Sequence, residues 1–215
     1  MWPIPRMNQE IISCTFTPRH LALAHIVADH QSPLLNAYTR ITLRNAELEY
    51  AILCNPTLIT NTIQRFIEHH ASFDCLTQFA ICGPTIHEKI TNKKIESAQS
   101  SYLYTHNNKD FHYTASIAPA ALAQYSLIAL RHRLPLQTIT TPFMAQLKLY
   151  QILQGNQFRY TEFAAQLRMH HHHIDQIIAT ADVIKHMHVA PHVTFDLVNE
   201  HYFLVSSLGL YYLRR

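Results

Sequence analysis

The fold is decided by residues 11–27, which are IISCTFTPRHLALAHIV. The stretch from Ile11 to Phe16 is rich in β-branched and aromatic side chains, which is typical of a strand. Pro18 presets the backbone for a turn, and residues 21–27 then predict a second strand that runs back along the first. Because residues 34–43 also suit a strand, the start of the chain predicts a three-stranded antiparallel meander.

Helices and strands alternate after the meander. Asn55 and Pro56 suit the N-cap and the first position of a helix, and apolar residues recur behind them at helical spacing. A short apolar run over residues 76–82 ends at Gly83 and predicts a buried strand parallel to its neighbour. The later pattern predicts a hairpin around residues 102–113, a helix from Pro119, a strand over 136–140 and a helix from Pro142 to about residue 153.

This order predicts an α/β fold for residues 10–153. Three antiparallel strands followed by alternating helix and strand imply a mixed sheet with helices on both faces. Beyond it, residues 156–185 are predicted to be mainly helical, and residues 193–198 and 202–205 to form two short strands. An apolar tail over residues 208–213 follows them.

The amino-acid composition of the chain favours some classes of function and disfavours others. Charged residues make up 14% of the 215 residues, well below the roughly 25% of an average globular protein. A surface with little charge favours contact with other proteins, because few charges must be desolvated. The net charge of +3 is too small for a nucleic-acid binder, which carries clustered Lys and Arg. No nucleic-acid partner is therefore expected.

Compartment signals favour the cytoplasm. No apolar run reaches the ~18 residues of a membrane span, and residues 1–6 lack the pattern of a secretory signal. Four cysteines occur without a CxxC pair, so we expect reduced thiols rather than a disulfide framework.

Several local strings, taken in order, resemble the PilM family, the actin-like cytoplasmic proteins of type IV pilus assembly. The match covers about two-thirds of the chain by pattern. The segments that carry it are the first hairpin over residues 11–27, the apolar strand with its Gly-Pro end over 76–84, the strand–helix joint over 134–142, and the ending over 206–214, which is similar to the closing helix of that family.

The resemblance implies an actin-like, RNase H-like fold in three parts. These are an N-terminal arm (residues 1–9), an actin-type first lobe (10–153), and a reduced helical remnant of the second lobe with C-terminal strands and a helix that return to the first lobe (154–215). It also implies a cytoplasmic protein, peripheral at the inner membrane, that binds a cytoplasmic peptide of a membrane partner in pilus, secretion or DNA-uptake machinery.

The departures from the family concern the nucleotide site. The chain is much shorter than a two-lobed member, and the missing length falls between about residues 155 and 190. The turn expected to hold phosphate, residues 14–19, contains neither Asp nor Gly, and the chain has only Gly83, Gly155 and Gly209. Since phosphate loops need glycine for close backbone approach, no nucleotide-binding residue is assigned and no cofactor is expected.

Acid–base and metal-dependent catalysis are also disfavoured. An RNase H-like nuclease needs a carboxylate on its central first strand to hold Mg²⁺, and residues 11–16 provide none. No GxSxG elbow occurs. The chain is therefore predicted not to be an enzyme, with an enzyme of unrecognised type as an alternative.

Histidine is the unusual feature, with 17 in the chain and a run over residues 170–173. His170 and His173, with Asp175 nearby, are candidate ligands for Zn²⁺ or Ni²⁺. The alternative is a polar helix face or histidine-rich loop with no metal role, because consecutive side chains point in different directions. The principal hypothesis is a non-catalytic scaffold or adaptor, and a histidine-rich metal-binding protein is the second.

Overall fold

The computed structural model describes most of the chain. The described residues are 10–28, 32–44, 48–49, 52–53, 56–72, 75–83, 86–92, 99–106, 108–131, 133–134, 136–154, 167–170, 173–176 and 187–213. The predicted N-terminal arm, residues 1–9, lies outside them.

The predicted meander is confirmed. Strand β1 (Glu10–Phe16) pairs antiparallel with β2 (His20–Ala28), and β2 pairs antiparallel with β3 (Pro33–Thr42). Side chains on both faces of β1 and β2 are buried over most of their length. Strands buried on both faces need cover on each side, so this pair lies at the centre of the fold rather than at its surface.

The first crossover is also as predicted. Two-residue strands β4 (Leu48–Glu49) and β5 (Ile52–Leu53) lead to helix α1 (Pro56–His70), which begins at Pro56. Strand β6 (Leu76–Ile81) then pairs parallel with β1. Such a parallel pairing requires a crossover, and α1 provides it.

A separate small sheet follows β6. Strands β7 (Ile86–Thr91) and β8 (Gln99–His106) both pair antiparallel with β9 (Lys109–Ile117), which lies between them. The hairpin of β8 and β9 was predicted. Strand β7 was not, because its alternating charged residues leave one apolar face of only Ile86 and Ile90 to signal a strand.

The second and third helices match their predictions. Helix α2 (Pro119–Arg131) leads to β10 (Leu136–Thr140), and helix α3 (Pro142–Gln154) follows. Strand β10 pairs parallel with β6. The six-stranded sheet has the order β10-β6-β1-β2-β3-β13, where β13 (His188–Val189) pairs parallel with β3.

Part of the prediction for residues 156–185 is wrong. Residues Leu167–His170 and His173–Gln176 are strands β11 and β12, paired antiparallel, where helix was predicted. Leu167 and Met169 alternate with Arg168 and His170, which is the period of a strand. The rest of the predicted helical stretch lies outside the described residues.

The two strands predicted over residues 193–198 and 202–205 are wrong. Helix α4 (Leu197–Leu213) takes up this region, and Asp196 precedes it at a position that favours a helix start. Nearly every described side chain from Phe203 to Tyr212 is buried. Because a helix buried all round has no polar face, it lacks the periodic pattern that would have revealed it.

Helices cover both faces of the six-stranded sheet, as predicted. One face of β1, with Ile12, Cys14 and Phe16, packs on apolar residues of α1 and α2. The opposite face contributes Ile11 to a second cluster with α3 and α4, which includes Leu147 and Leu208. The mixed α/β sheet with two covering layers is the fold class expected of an actin-like protein.

Helices α3 and α4 cross in close contact at Gly209. A Cβ atom at Gly209 would lie 2.1 Å from the carbonyl oxygen of Ala145. Gln146, next to this crossing, donates a 3.0 Å hydrogen bond to the hydroxyl of Ser206. In the part of the chain that the structure describes, no helix is both long and apolar enough to cross a bilayer.

Substituting Gly209→Ala is expected to destabilise the fold by about 1–3 kcal/mol, the usual cost of overpacking a core. Chemical denaturation, monitored by circular dichroism, would show this loss of stability as a lower denaturation midpoint. Gln151→Ala on α3, at a partly exposed position, serves as the control and should leave the midpoint nearly unchanged. An unchanged midpoint for Gly209→Ala would contradict the close crossing.

Candidate functional site

The turn between β1 and β2 is closed by its own hydrogen bonds. The backbone N–H of Thr17 donates to the His20 carbonyl at 2.9 Å. In return, the His20 N–H lies 3.1 Å from the Thr17 hydroxyl, and Pro18 between them has no N–H to offer. The described turn therefore directs few backbone donors outward, which is the opposite of a phosphate-binding loop.

A cleft lies beside the carboxyl ends of β6 and β10. It has a volume of about 180 Å³ and lies between the small sheet and the six-stranded sheet. In sheets with parallel strands, ligands bind outside the carboxyl ends of the strands. The residues that line this cleft are Ile86, Ala115, Ser116, Ile117, Leu122, Ile139, Thr140 and Thr141.

The lining of the cleft is apolar with hydroxyl groups. None of the lining residues carries an ionisable side chain, so the cleft has no group for acid–base catalysis. Its volume is also below the ~300–1,000 Å³ of clefts that enclose small molecules. The cleft is suited to contact with one or two apolar side chains rather than to holding a whole nucleotide.

One hydroxyl of the lining has no partner. The Oγ1 atom of Thr140 is buried and makes no hydrogen bond. A buried hydroxyl without a partner carries a desolvation cost of about 1–3 kcal/mol. Thr140 ends β10, which has a neighbouring strand on only one side in the described sheet. Because Thr140 Oγ1 is enclosed, the cleft presents to a ligand the apolar part of this residue beside the open edge of β10, and not its hydroxyl.

Tyr113 fixes the wall of the cleft. Its hydroxyl donates to the Glu88 carboxylate on β7 and lies 2.8 Å from the Thr141 hydroxyl. Thr141 Oγ1 in turn accepts from the Met144 N–H at 3.2 Å, which caps the start of α3. The small sheet and the start of α3 are thus tied together through one side chain.

Electrostatics keep this tyrosine neutral. Burial raises the pKa of Tyr113, and the nearby negative charge of Glu88 raises it further. The ring of Tyr113 also packs on Phe143, with 4.5 Å between centroids. The neutral hydroxyl of Tyr113 therefore acts as a hydrogen-bond donor that stabilises the fold. Its contacts hold the small sheet against the start of α3.

The predicted metal ligands are only partly placed. His170 ends β11 and pairs in register with His173 at the start of β12, while Asp175 pairs with Arg168. The side chains of these residues lie outside the described part of the structure. Metal binding by His170, His173 and Asp175 thus stays a prediction.

The described cysteines differ in how deeply they are buried. Cys14 and Cys75 are buried and Cys82 is partly exposed, and none of these three forms a disulfide. Cys54 lies outside the described residues. Burial raises the pKa of the Cys14 thiol, with a further contribution from Cys75 nearby, so Cys14 is an unreactive thiol.

The cleft itself was not predicted. Its lining comes from β7, β9, α2, β10 and the start of α3, and each residue alone is an ordinary apolar or hydroxyl side chain. The one local signal of this region is the strand–helix joint over residues 134–142. It resembles a segment of the PilM family, but its residue types alone do not indicate binding.

Comparison with known proteins supports the fold. No family model and no characterised protein sequence matches the chain. Among solved structures, it is similar to PilM in a structure described as the "PilM-PilN type IV pilus biogenesis complex", with a TM-score of 0.52 and 13% identity. The match covers 76% of this chain and 54% of that one, so this chain spans just over half the length of PilM.

Two further structures are more distant. The cytoplasmic domain of EpsL, an inner-membrane component of the type II secretion system of Vibrio cholerae, has a TM-score of 0.42 and 6% identity over 63% of this chain and 57% of its own. A Bacteroides thetaiotaomicron protein with an actin-like ATPase fold has a TM-score of 0.36 and 10% identity, covering 95% and 91%. At 13% identity the match to PilM shows a shared fold alone.

Tyr113→Phe is expected to lower the free energy of unfolding by about 1.5–3 kcal/mol, because it removes a hydrogen bond to a charged group. Chemical denaturation measures the change. Tyr125→Phe is the matched control, since the buried Tyr125 hydroxyl has no hydrogen-bond partner and its removal should be neutral or stabilising. Equal effects of the two substitutions would contradict the role assigned to Tyr113.

Proposed function

We propose that this chain is a non-catalytic adaptor that binds an extended peptide of a membrane partner in the cleft beside β10. The partner is an inner-membrane component of type IV pilus, secretion or DNA-uptake machinery, and the chain acts at the cytoplasmic side of that membrane. The observation that carries the proposal is the apolar cleft beside β10, which lies at the edge of the described sheet.

The properties of the cleft favour a peptide over a metabolite. An extended peptide recognises an edge through its backbone and inserts alternate side chains into apolar pockets. The cleft offers apolar contact from Ile117, Leu122 and Ile139. A charged ligand would find no opposite charge among the lining residues.

The fold comparison supports the proposed class of partner. One similar structure is of PilM in a complex with PilN. An actin-like body whose cleft accepts one or two apolar side chains of a peptide is consistent with a related task here. The second lobe is proposed to be reduced to residues 154–215, with residues 10–153 as the docking lobe and residues 1–9 as an arm.

The closed turn between β1 and β2 supports an adaptor that binds no nucleotide. An actin-like nucleotide site needs backbone donors from the first hairpin, and the described donors of Thr17 and His20 bond within the turn. The same turn contains no acidic residue that would hold a metal–nucleotide complex. The sheet then acts as a platform that presents the cleft.

Leu122→Arg is expected to weaken peptide binding by tenfold or more, equivalent to roughly 1.4 kcal/mol, because it places a charge in an apolar cleft. The measurement is fluorescence polarisation with labelled cytoplasmic N-terminal peptides of the single-span pilus and secretion proteins of the same organism. Leu130→Arg is the matched control, since Leu130 is a more exposed leucine of the same helix, 73% against 39%, and lies outside the cleft lining.

Two results would count against the cleft. One is that no such peptide binds the unmodified chain. The other is that Leu130→Arg weakens binding as much as Leu122→Arg, which would move the contact to another face of α2.

Titration with ATP and Mg²⁺ in a calorimeter is expected to give only dilution heat, because the turn after β1 lacks both glycine and an acid. A saturable heat with a defined stoichiometry would contradict the adaptor proposal and indicate a nucleotide site built from other residues.

A further inference from the structure

Three metal-binding atoms meet at the opposite end of the sheet from the cleft. They are a carboxylate oxygen of Glu10, a ring nitrogen of His25 and the sulfur of Cys75, which all lie within 4.8 Å of one another. Glu10 begins β1, His25 lies near the end of β2, and Cys75 directly precedes β6. Two adjacent strands and the residue that leads into a third each contribute one donor, and the sheet sets their separation.

The histidine is held by both ring nitrogens. Its Nε2 lies 3.3 Å from Glu10 Oε2, and its Nδ1 lies 3.2 Å from the side-chain amide of Asn36. The two ends of an Asn amide are assigned from the hydrogen-bond network. In this structure Asn36 Nδ2 faces His25 Nδ1 and donates to it, so the ring proton lies on Nε2 and points to Glu10. A metal ion on Nε2 would replace that proton, and the Asn36 amide would turn its oxygen to Nδ1 to accept an Nδ1–H.

Two further hydrogen bonds hold Glu10 and Asn36 in place. The backbone N–H of Ser72 donates to Glu10 Oε2 at 3.1 Å, and His192 Nε2 lies 2.8 Å from the Asn36 carbonyl. Metal-binding histidines in proteins have such a partner on the second nitrogen, which sets the tautomer and the ring orientation.

The separation of two of the three donors fits a tetrahedral ion. Zinc–nitrogen and zinc–oxygen bonds of about 2.0–2.1 Å place two such ligands about 3.3 Å apart at a tetrahedral angle. The measured separation of His25 Nε2 and Glu10 Oε2 is 3.3 Å. A set of thiolate, imidazole and carboxylate is typical of zinc and disfavours calcium or magnesium, which take oxygen ligands.

We propose that Glu10, His25 and Cys75 bind one Zn²⁺ ion, with water as the fourth ligand. The ion joins the amino ends of β1 and β6 to the end of β2. The three proposed ligands are not part of the histidine run over residues 170–173 or of the cleft lining. The zinc proposal can therefore be tested independently of the adaptor function.

The test uses Co²⁺ as a spectroscopic substitute for zinc in the full chain. The background variant replaces His170, His171, His172 and His173 with Asn, so that the run cannot contribute. This variant is expected to bind one Co²⁺ with a thiolate-to-cobalt charge-transfer band, and Zn²⁺ is expected to displace it. Cys75→Ser should abolish the band, and Asn36→Ala should weaken binding by about 10- to 100-fold.

Cys82→Ser is the matched control, since Cys82 follows the other end of β6 and is partly exposed; it should keep the band. Circular dichroism verifies that each variant folds. If Cys75→Ser does not fold, His25→Gln decides, because it keeps the thiol and should still lose tight binding. Absence of the band in the background variant, or its survival in Cys75→Ser, would overturn the proposal.

Discussion

The parallel pairing of β1 with β6 is the constraint on which the rest of the structure depends. Both strands lie inside the six-stranded sheet, and their side chains are buried on both faces. A sheet buried in this way needs a helical layer on each side, and α1 with α2 and α3 with α4 form the two layers. Parallel strands also end at a common edge, so one arrangement produces both the cleft at the carboxyl ends and the donor cluster at the amino ends.

The sequence predicted the elements whose signals are local. Pro56, Pro119 and Pro142 each begin a helix where proline at the first position predicted one, and the meander followed from strand-like runs between turn residues. Helix α4 was misassigned because its burial on all sides removes the polar face that periodicity needs. Strand β7 and the β11–β12 hairpin were missed because they are short and rich in charged residues or histidine. The pairing of β7 also depends on β9, which is distant in sequence.

Neither candidate site could be found from spacing alone. The cleft collects ordinary residues such as Ile86, Ile117 and Leu122, and only the docking of the small sheet brings them together. The donor set of Glu10, His25 and Cys75 has no motif spacing, because β1, β2 and the residue before β6 supply one donor each. The histidine run over residues 170–173 is the conspicuous feature of the sequence, whereas His25, a buried histidine on β2, has a side chain within hydrogen-bond distance of each ring nitrogen.

The packing of α4 has a consequence for how the polypeptide is made. Ile11 and Ala24 from the first hairpin share a cluster with Leu204 and Leu208, so the hairpin is covered in part by a helix that is synthesised much later. Helix α3 contributes Phe143 and Leu147 to the same cluster, so α3 covers part of this face of the meander before α4 leaves the ribosome. The apolar side chains that await α4 stay exposed during that interval, and exposed apolar surface of this kind promotes aggregation of a nascent chain.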